Sequence, residues 1–128
     1  MAFKDALQEV GIAESCVIDW RNSKLYQSSG EDTVAFSGYM VLTKDRLLFV
    51  SEKGFLKPIK IRYEIDISKI RNISKILLTN RFLIAANTAE EGSGFFKKLA
   101  GSKNAQVSVK DGKEFFEKVK QINPEIKL

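Results

Sequence analysis

Hydrophobic and polar positions are most sharply patterned across residues 34–51, where two apolar runs flank the polar corner Thr43-Lys44-Asp45-Arg46. Val34, Phe36, Gly38, Met40 and Leu42 share one parity, the face periodicity of a strand. Leu47-Leu48-Phe49-Val50 is apolar on both parities and reads as a strand buried on both faces. The pair predicts a hairpin in the middle of a core. Further along, Ile59, Ile61, Tyr63, Ile65 and Ile67 alternate with Lys60, Arg62, Glu64 and Asp66. Strict alternation of this kind predicts an antiparallel strand with one dry face and one wet face.

Helical spacing replaces alternation near the two ends. Phe3, Ala6, Leu7 and Val10 predict a short amphipathic helix, ended by Gly11. Phe115, Phe116, Val119 and Ile122 form the apolar stripe of a second helix. Asp111 and Glu114 have the spacing of a capping box at its start, and Asn123-Pro124 stops it. Residues 16–27 predict a strand broken or bent at Asn22-Ser23, followed by a turn over 28–32. Residues 70–78 and 82–87 predict two more strands around Thr79-Asn80-Arg81, and Ala105, Val107 and Val109 a last short one. The order is about seven antiparallel strands followed by one amphipathic helix. A mainly β, α+β fold accounts for it: a twisted sheet folded over on itself, with the C-terminal helix plugging one open end.

Composition narrows the chemistry. The 128 residues suit one domain, and 44% hydrophobic content with nine Phe can bury a core. No linker, repeat or low-complexity tract interrupts the chain. No apolar run is long enough to span a bilayer. Lys4 and Asp5 fall where a signal peptide needs its apolar stretch, so a cytoplasmic protein is expected. Cys16, the single cysteine, excludes an internal disulfide; it alternates with Ile18 and Trp20 and is expected as a small buried hydrophobe. The chain has no histidine, which excludes a His-based triad and a Cys/His zinc site. Gly92-Ser93-Gly94 lacks the Lys-Ser/Thr of a phosphate loop. Catalysis, a metal and a cofactor are therefore not expected. Glu64 and Asp66 share a strand face, but Lys60 and Arg62 beside them make surface ion pairing the simpler account. The net charge of +5 favours anionic partners without choosing among phospholipid, nucleic acid and acidic protein. Basic residues are scattered, with no run and no reader motif, so nucleic acid is the least expected of these.

The hairpin also carries a resemblance. Gly38, Met40, Leu42, Thr43, Arg46, Leu47 and Phe49 resemble the Gly-x-Leu-x-Leu-Thr-x-x-Arg-Leu-x-Phe pattern of strands two and three in the GRAM and GLUE branches of the pleckstrin-homology (PH) superfold. Leu25-Tyr26 and Phe36 resemble the GLUE domain that heads an ESCRT-II subunit. Asp66-Ile67-Ser68-Lys69-Ile70 resembles a step common to GRAM domains and small bacterial PH-like proteins. The resemblance implies one PH-like domain over residues 1–128 that binds rather than catalyses. Such modules bind phosphoinositides, proteins or both; GLUE domains are similar in binding a phosphoinositide and, in some members, ubiquitin, in an ESCRT sorting context.

The resemblance places the loops after strands one, three and six at one end, opposite the C-terminal helix. The first, residues 28–32, carries Glu31 and Asp32 where phosphoinositide-binding PH domains carry Lys and Arg, a departure that counts against the standard headgroup pocket. The other two combine apolar tips with basic flanks: Lys53, Phe55, Leu56 and Lys57, then Phe95, Phe96, Lys97, Lys98 and Lys103. That chemistry suits an anionic, peripheral membrane surface, lysines reaching headgroups while Phe and Leu enter the boundary. Lys60 and Arg62 are expected to extend the patch along the wet strand face. Core packing competes with this reading, since Phe95, Phe96 and Leu99 also have helical spacing and Phe55-Leu56 suits an inward-folded tip. The alternative function is a protein-interaction module, ubiquitin-directed or otherwise, using a sheet edge and the outer helix face of Lys113, Glu117, Lys118 and Gln121.

Overall fold

Seven strands form from the alternating segments and pair into one antiparallel sheet. The computed structural model describes residues 2–29, 32–52, 58–86 and 104–128. Helix α1 (Ala2–Val10) leads through a short 3-10 turn (Glu14–Cys16) into β1 (Val17–Ser29). Then come β2 (Asp32–Thr43), β3 (Arg46–Ser51), β4 (Ile61–Asp66), a second 3-10 turn (Ile67–Lys69), β5 (Ile70–Lys75), β6 (Arg81–Ala86), β7 (Ala105–Val109) and helix α2 (Gly112–Ile122). The order across the sheet is β4-β3-β2-β1-β7-β6-β5, and the sheet curls into a half-barrel. The mainly β architecture and both helices match the sequence reading.

The central hairpin is as the pattern predicts. Leu42 pairs with Leu47 and Gly38 with Ser51 around the two-residue corner Lys44-Asp45. The Thr43 hydroxyl accepts from the Arg46 N–H at 3.0 Å and reaches the Asp45 carboxylate at 3.1 Å, which locks the corner. β2 and β3 are apolar on both parities because each of their faces is covered. On the concave face Met40, Leu42, Leu47 and Phe49 join a core with Leu25, Ile65, Ile84, Val107, Phe115 and Phe116. On the convex face Tyr39, Val41 and Val50 meet Phe3, Ala6 and Leu7 of α1. Gly11, at φ 76°, ends that helix, its N–H donating to the Gln8 carbonyl.

Several expectations change. β1 is continuous rather than broken at Asn22-Ser23: Ser23 is buried, and its hydroxyl donates to the Ser108 carbonyl at 2.6 Å where β7 joins β1. Cys16 is exposed, because the 3-10 turn takes it out of the strand before alternation begins. The residues of the capping box do not cap. Asp111 is left-handed at φ 52° with no side-chain cap bond, and it and Glu114 lie 3.8 and 3.9 Å from Arg21 instead. Strict alternation fails in β4, where the register slips so that Phe49 faces Tyr63 and Val50 faces Ile61. This bulge sends Ile59 and Ile61 to the α1 side while Tyr63 and Ile65 stay in the concave core.

At the far edge, β5 is shorter than predicted. The Thr79 hydroxyl donates to the Ile76 carbonyl at 2.8 Å and accepts from the Arg81 N–H at 3.1 Å, turning the chain before Leu77 and Leu78 can extend the strand. After α2, Ile126 is fully buried, and Lys127 bridges in parallel to Asn72 on β5.

Candidate functional site

The strand ends fix where the connections leave the sheet. β1 and β2 form a hairpin, β3 runs antiparallel to β2, and β7 runs antiparallel to both β1 and β6. The connections after β1, β3 and β6 therefore leave from the same end. Helix α2 lies elsewhere: its Lys118 ammonium donates to Asp19 at 2.9 Å near the start of β1, and Asn123 beyond its end donates to the Ile67 carbonyl at 3.0 Å.

At the connection end, Ser51 organises the described residues. It is buried, and its hydroxyl lies within 3.2–3.4 Å of the carbonyls of Pro58 and Lys60, the Lys60 N–H and the Arg62 Nε. Lys60 is exposed beside it. Arg62 is half-buried, with its guanidinium 4.5 Å from the centre of the Phe36 ring. It therefore does not continue an outer basic stripe from Lys60 as the alternation predicts; the β4 bulge breaks the stripe. A cleft of about 780 Å³ opens next to Arg62, bordered by Tyr26, Gln27, Tyr63, Asn104 and Gln106. Burial pushes the Tyr63 phenol well above its ordinary pKa, so it stays a neutral hydroxyl there. Arg81 stacks over Tyr26 with its guanidinium carbon 3.8 Å from the ring centre. Amide, phenol and guanidinium groups and the Glu64 carboxylate border this cleft, alternating with the apolar Leu25, Ile61 and Leu83, while Arg81 stands outside its walls. No protein-family model and no curated protein matches the chain.

Of the predicted lipid-facing residues, Lys60 and Arg62 are thus placed; Lys53, Phe55, Leu56, Lys57, Phe95, Phe96, Lys97, Lys98 and Lys103 lie outside the described residues. On α2, Lys113, Glu117 and Gln121 are exposed, whereas half-buried Lys118 is engaged with Asp19. Asp19 also takes the Arg21 guanidinium at 3.0 Å and the Trp20 N–H at 2.8 Å. Burial pushes its carboxyl up, but the Arg21 and Lys118 hydrogen bonds, the Trp20 N–H and the Arg21 charge outweigh burial and hold it below its ordinary value. This cluster ties α2 to β1. No spacing in the sequence announces it, because Asp19 and Lys118 are far apart along the chain. Among the described residues, no helix is long and apolar enough to cross a membrane.

Proposed function

We propose that this chain is a non-catalytic PH-like module of GRAM or GLUE type that docks peripherally on anionic phospholipid. The observation that carries the reading is the register. It sends the connections after β1, β3 and β6 out at one end of a curled seven-stranded sheet and keeps α2 away from them. Two of those connections contain the basic and apolar residues around Lys53–Lys57 and Phe95–Lys98. Each lysine at an anionic surface contributes on the order of 1 kcal/mol. A Lys53→Glu/Lys57→Glu variant is therefore expected to lose roughly tenfold or more in vesicle affinity. Co-sedimentation with phosphatidylserine or phosphoinositide vesicles tests it: binding should rise with acidic lipid and fall with salt, and absence of binding at low salt would sink the proposal.

A protein-interaction role, ubiquitin-directed or otherwise, is the second reading. It is favoured by β4, which ends the sheet at one edge, and by the exposed Lys113, Glu117 and Gln121 on α2. Chemical-shift mapping with ubiquitin separates the two. Shifts confined to β4 and α2 support protein binding; none there, with lipid-induced shifts at the connections, supports the membrane reading.

A further inference from the structure

The most exposed large apolar side chains among the described residues sit at the tip of the β5–β6 turn. Leu77 is 87% and Leu78 105% exposed. Leu78 is also held left-handed at φ 64°, a conformation that a leucine adopts at a cost and that glycine or asparagine would adopt more easily. Two fully wet leucines, one of them strained, are a poor choice for a turn that only reverses the chain.

A groove of about 800 Å³ runs beside this tip, with Ile73, Phe82, Phe116 and Leu128 among its walls. Lys75 and Asn80 belong to both features: they flank the tip in sequence and also line the groove. An apolar knob therefore stands next to an apolar hole on one surface. That is the arrangement a two-fold axis satisfies, since each copy can place its knob in the other's hole.

We infer that this chain self-associates through the β5–β6 turn, Leu77 and Leu78 of each copy entering the groove between β5–β6 and α2 of a second copy. Charge decides for a second copy over a lipid surface. The groove is bordered by Lys75 and Lys113 and by three acids, Asp111, Glu114 and Glu117. Mixed signs can pair across a two-fold, whereas the glutamates would be repelled by an anionic bilayer. The surface is also remote from the connections discussed above, because it lies at the opposite end of β6 from the connection to β7. The inference therefore does not depend on lipid binding.

Sedimentation equilibrium of the full chain over a wide concentration range tests it. A monomer–dimer equilibrium is expected, and Leu77→Ser/Leu78→Ser is expected to weaken it by roughly thirtyfold or more, the effect of removing a central apolar anchor. Both side chains are exposed, so circular dichroism should stay unchanged. Cross-linking adds the geometry: in a Cys16→Ser background, mixed Leu78→Cys and Lys113→Cys chains should form disulfide-linked dimers. A Leu78→Cys and Lys4→Cys mixture, probing the α1 side instead, should not. A monomer at every concentration, or a dimer indifferent to the double serine variant, would overturn the inference. So would a monomer whose Leu77 and Leu78 bind vesicles, which would reassign the tip to lipid.

Discussion

Gly38 shows how tightly the central hairpin is built. A Cβ placed there would stand 2.1 Å from the Val50 carbonyl oxygen and 2.8 Å from the Ser51 Cα, both backbone atoms that cannot rotate away. We expect Gly38→Ala to cost roughly 3 kcal/mol by urea denaturation; a loss well under 1 kcal/mol would mean that the two strands part more easily than their register implies. The glycine is plain in the sequence, but the reason for it is not, since the close approach belongs to a partner strand. Asp19 makes a different demand on pH. Its carboxyl is held below the ordinary value of 3.8, so its stabilisation is complete above that value and is lost as pH falls through the lower folded value. Asp19→Asn should therefore destabilise the protein at pH 7 and flatten the acid limb between about pH 5 and 2. Equal acid sensitivity of variant and parent would remove the carboxylate from that role.

At the scale of elements, what the sequence makes legible follows local periodicity. Helix α1 was readable because Phe3, Ala6 and Leu7 share one face, and all three are buried. The double-sided apolarity of β3 likewise foretold cover on both sides. The β4 bulge was not readable, because alternation from Ile59 to Ile67 is unbroken in sequence while the slip arises from pairing with β3. The Asp111 cap is absent because its backbone is left-handed rather than extended, and both acids lie instead near Arg21, distant in sequence. The strand predicted over 70–78 overran because apolar Leu77 and Leu78 look like its continuation, whereas the Thr79 hydroxyl bonds and the backbone bonds between Ile76, Thr79 and Arg81 start the turn two residues earlier. The α1 contact offers its own measurement. Trp20, the single tryptophan, stacks on Phe3 with ring centres 4.1 Å apart. We expect Phe3→Ala to cost about 3–5 kcal/mol and to shift Trp20 emission to the red; unchanged emission would mean that the helix does not cover the indole in solution.

On the scale of the whole molecule, the sheet separates two cores, one under α1 and one inside the curl. The class of fold could be read from the order of elements. The candidate lipid surface was read from loop composition alone, and of its residues only Lys60 and Arg62 are placed, the latter turned over Phe36. The Asp19 cluster is not legible in the sequence because it joins residues far apart along the chain, and the apolar tip at Leu77 and Leu78 is not because an apolar pair before a turn looks like the end of a strand. The pairing of β1 with β7 has a kinetic side. Ser23 of β1 faces Val109 of β7, so the middle of the sheet waits for a partner from the other end of the chain, while the α1–β3 segment can condense through nearer contacts. We expect Val41→Ala, within that early segment, to slow folding, and Val107→Ala in β7 mainly to speed unfolding, in stopped-flow chevrons. The reverse assignment would place the β1–β7 pairing first. If that pairing is late, a ribosome-bound chain carries its wet, half-made curl until Val107 and Val109 emerge, and the interval before they do is when it is most exposed to mispairing.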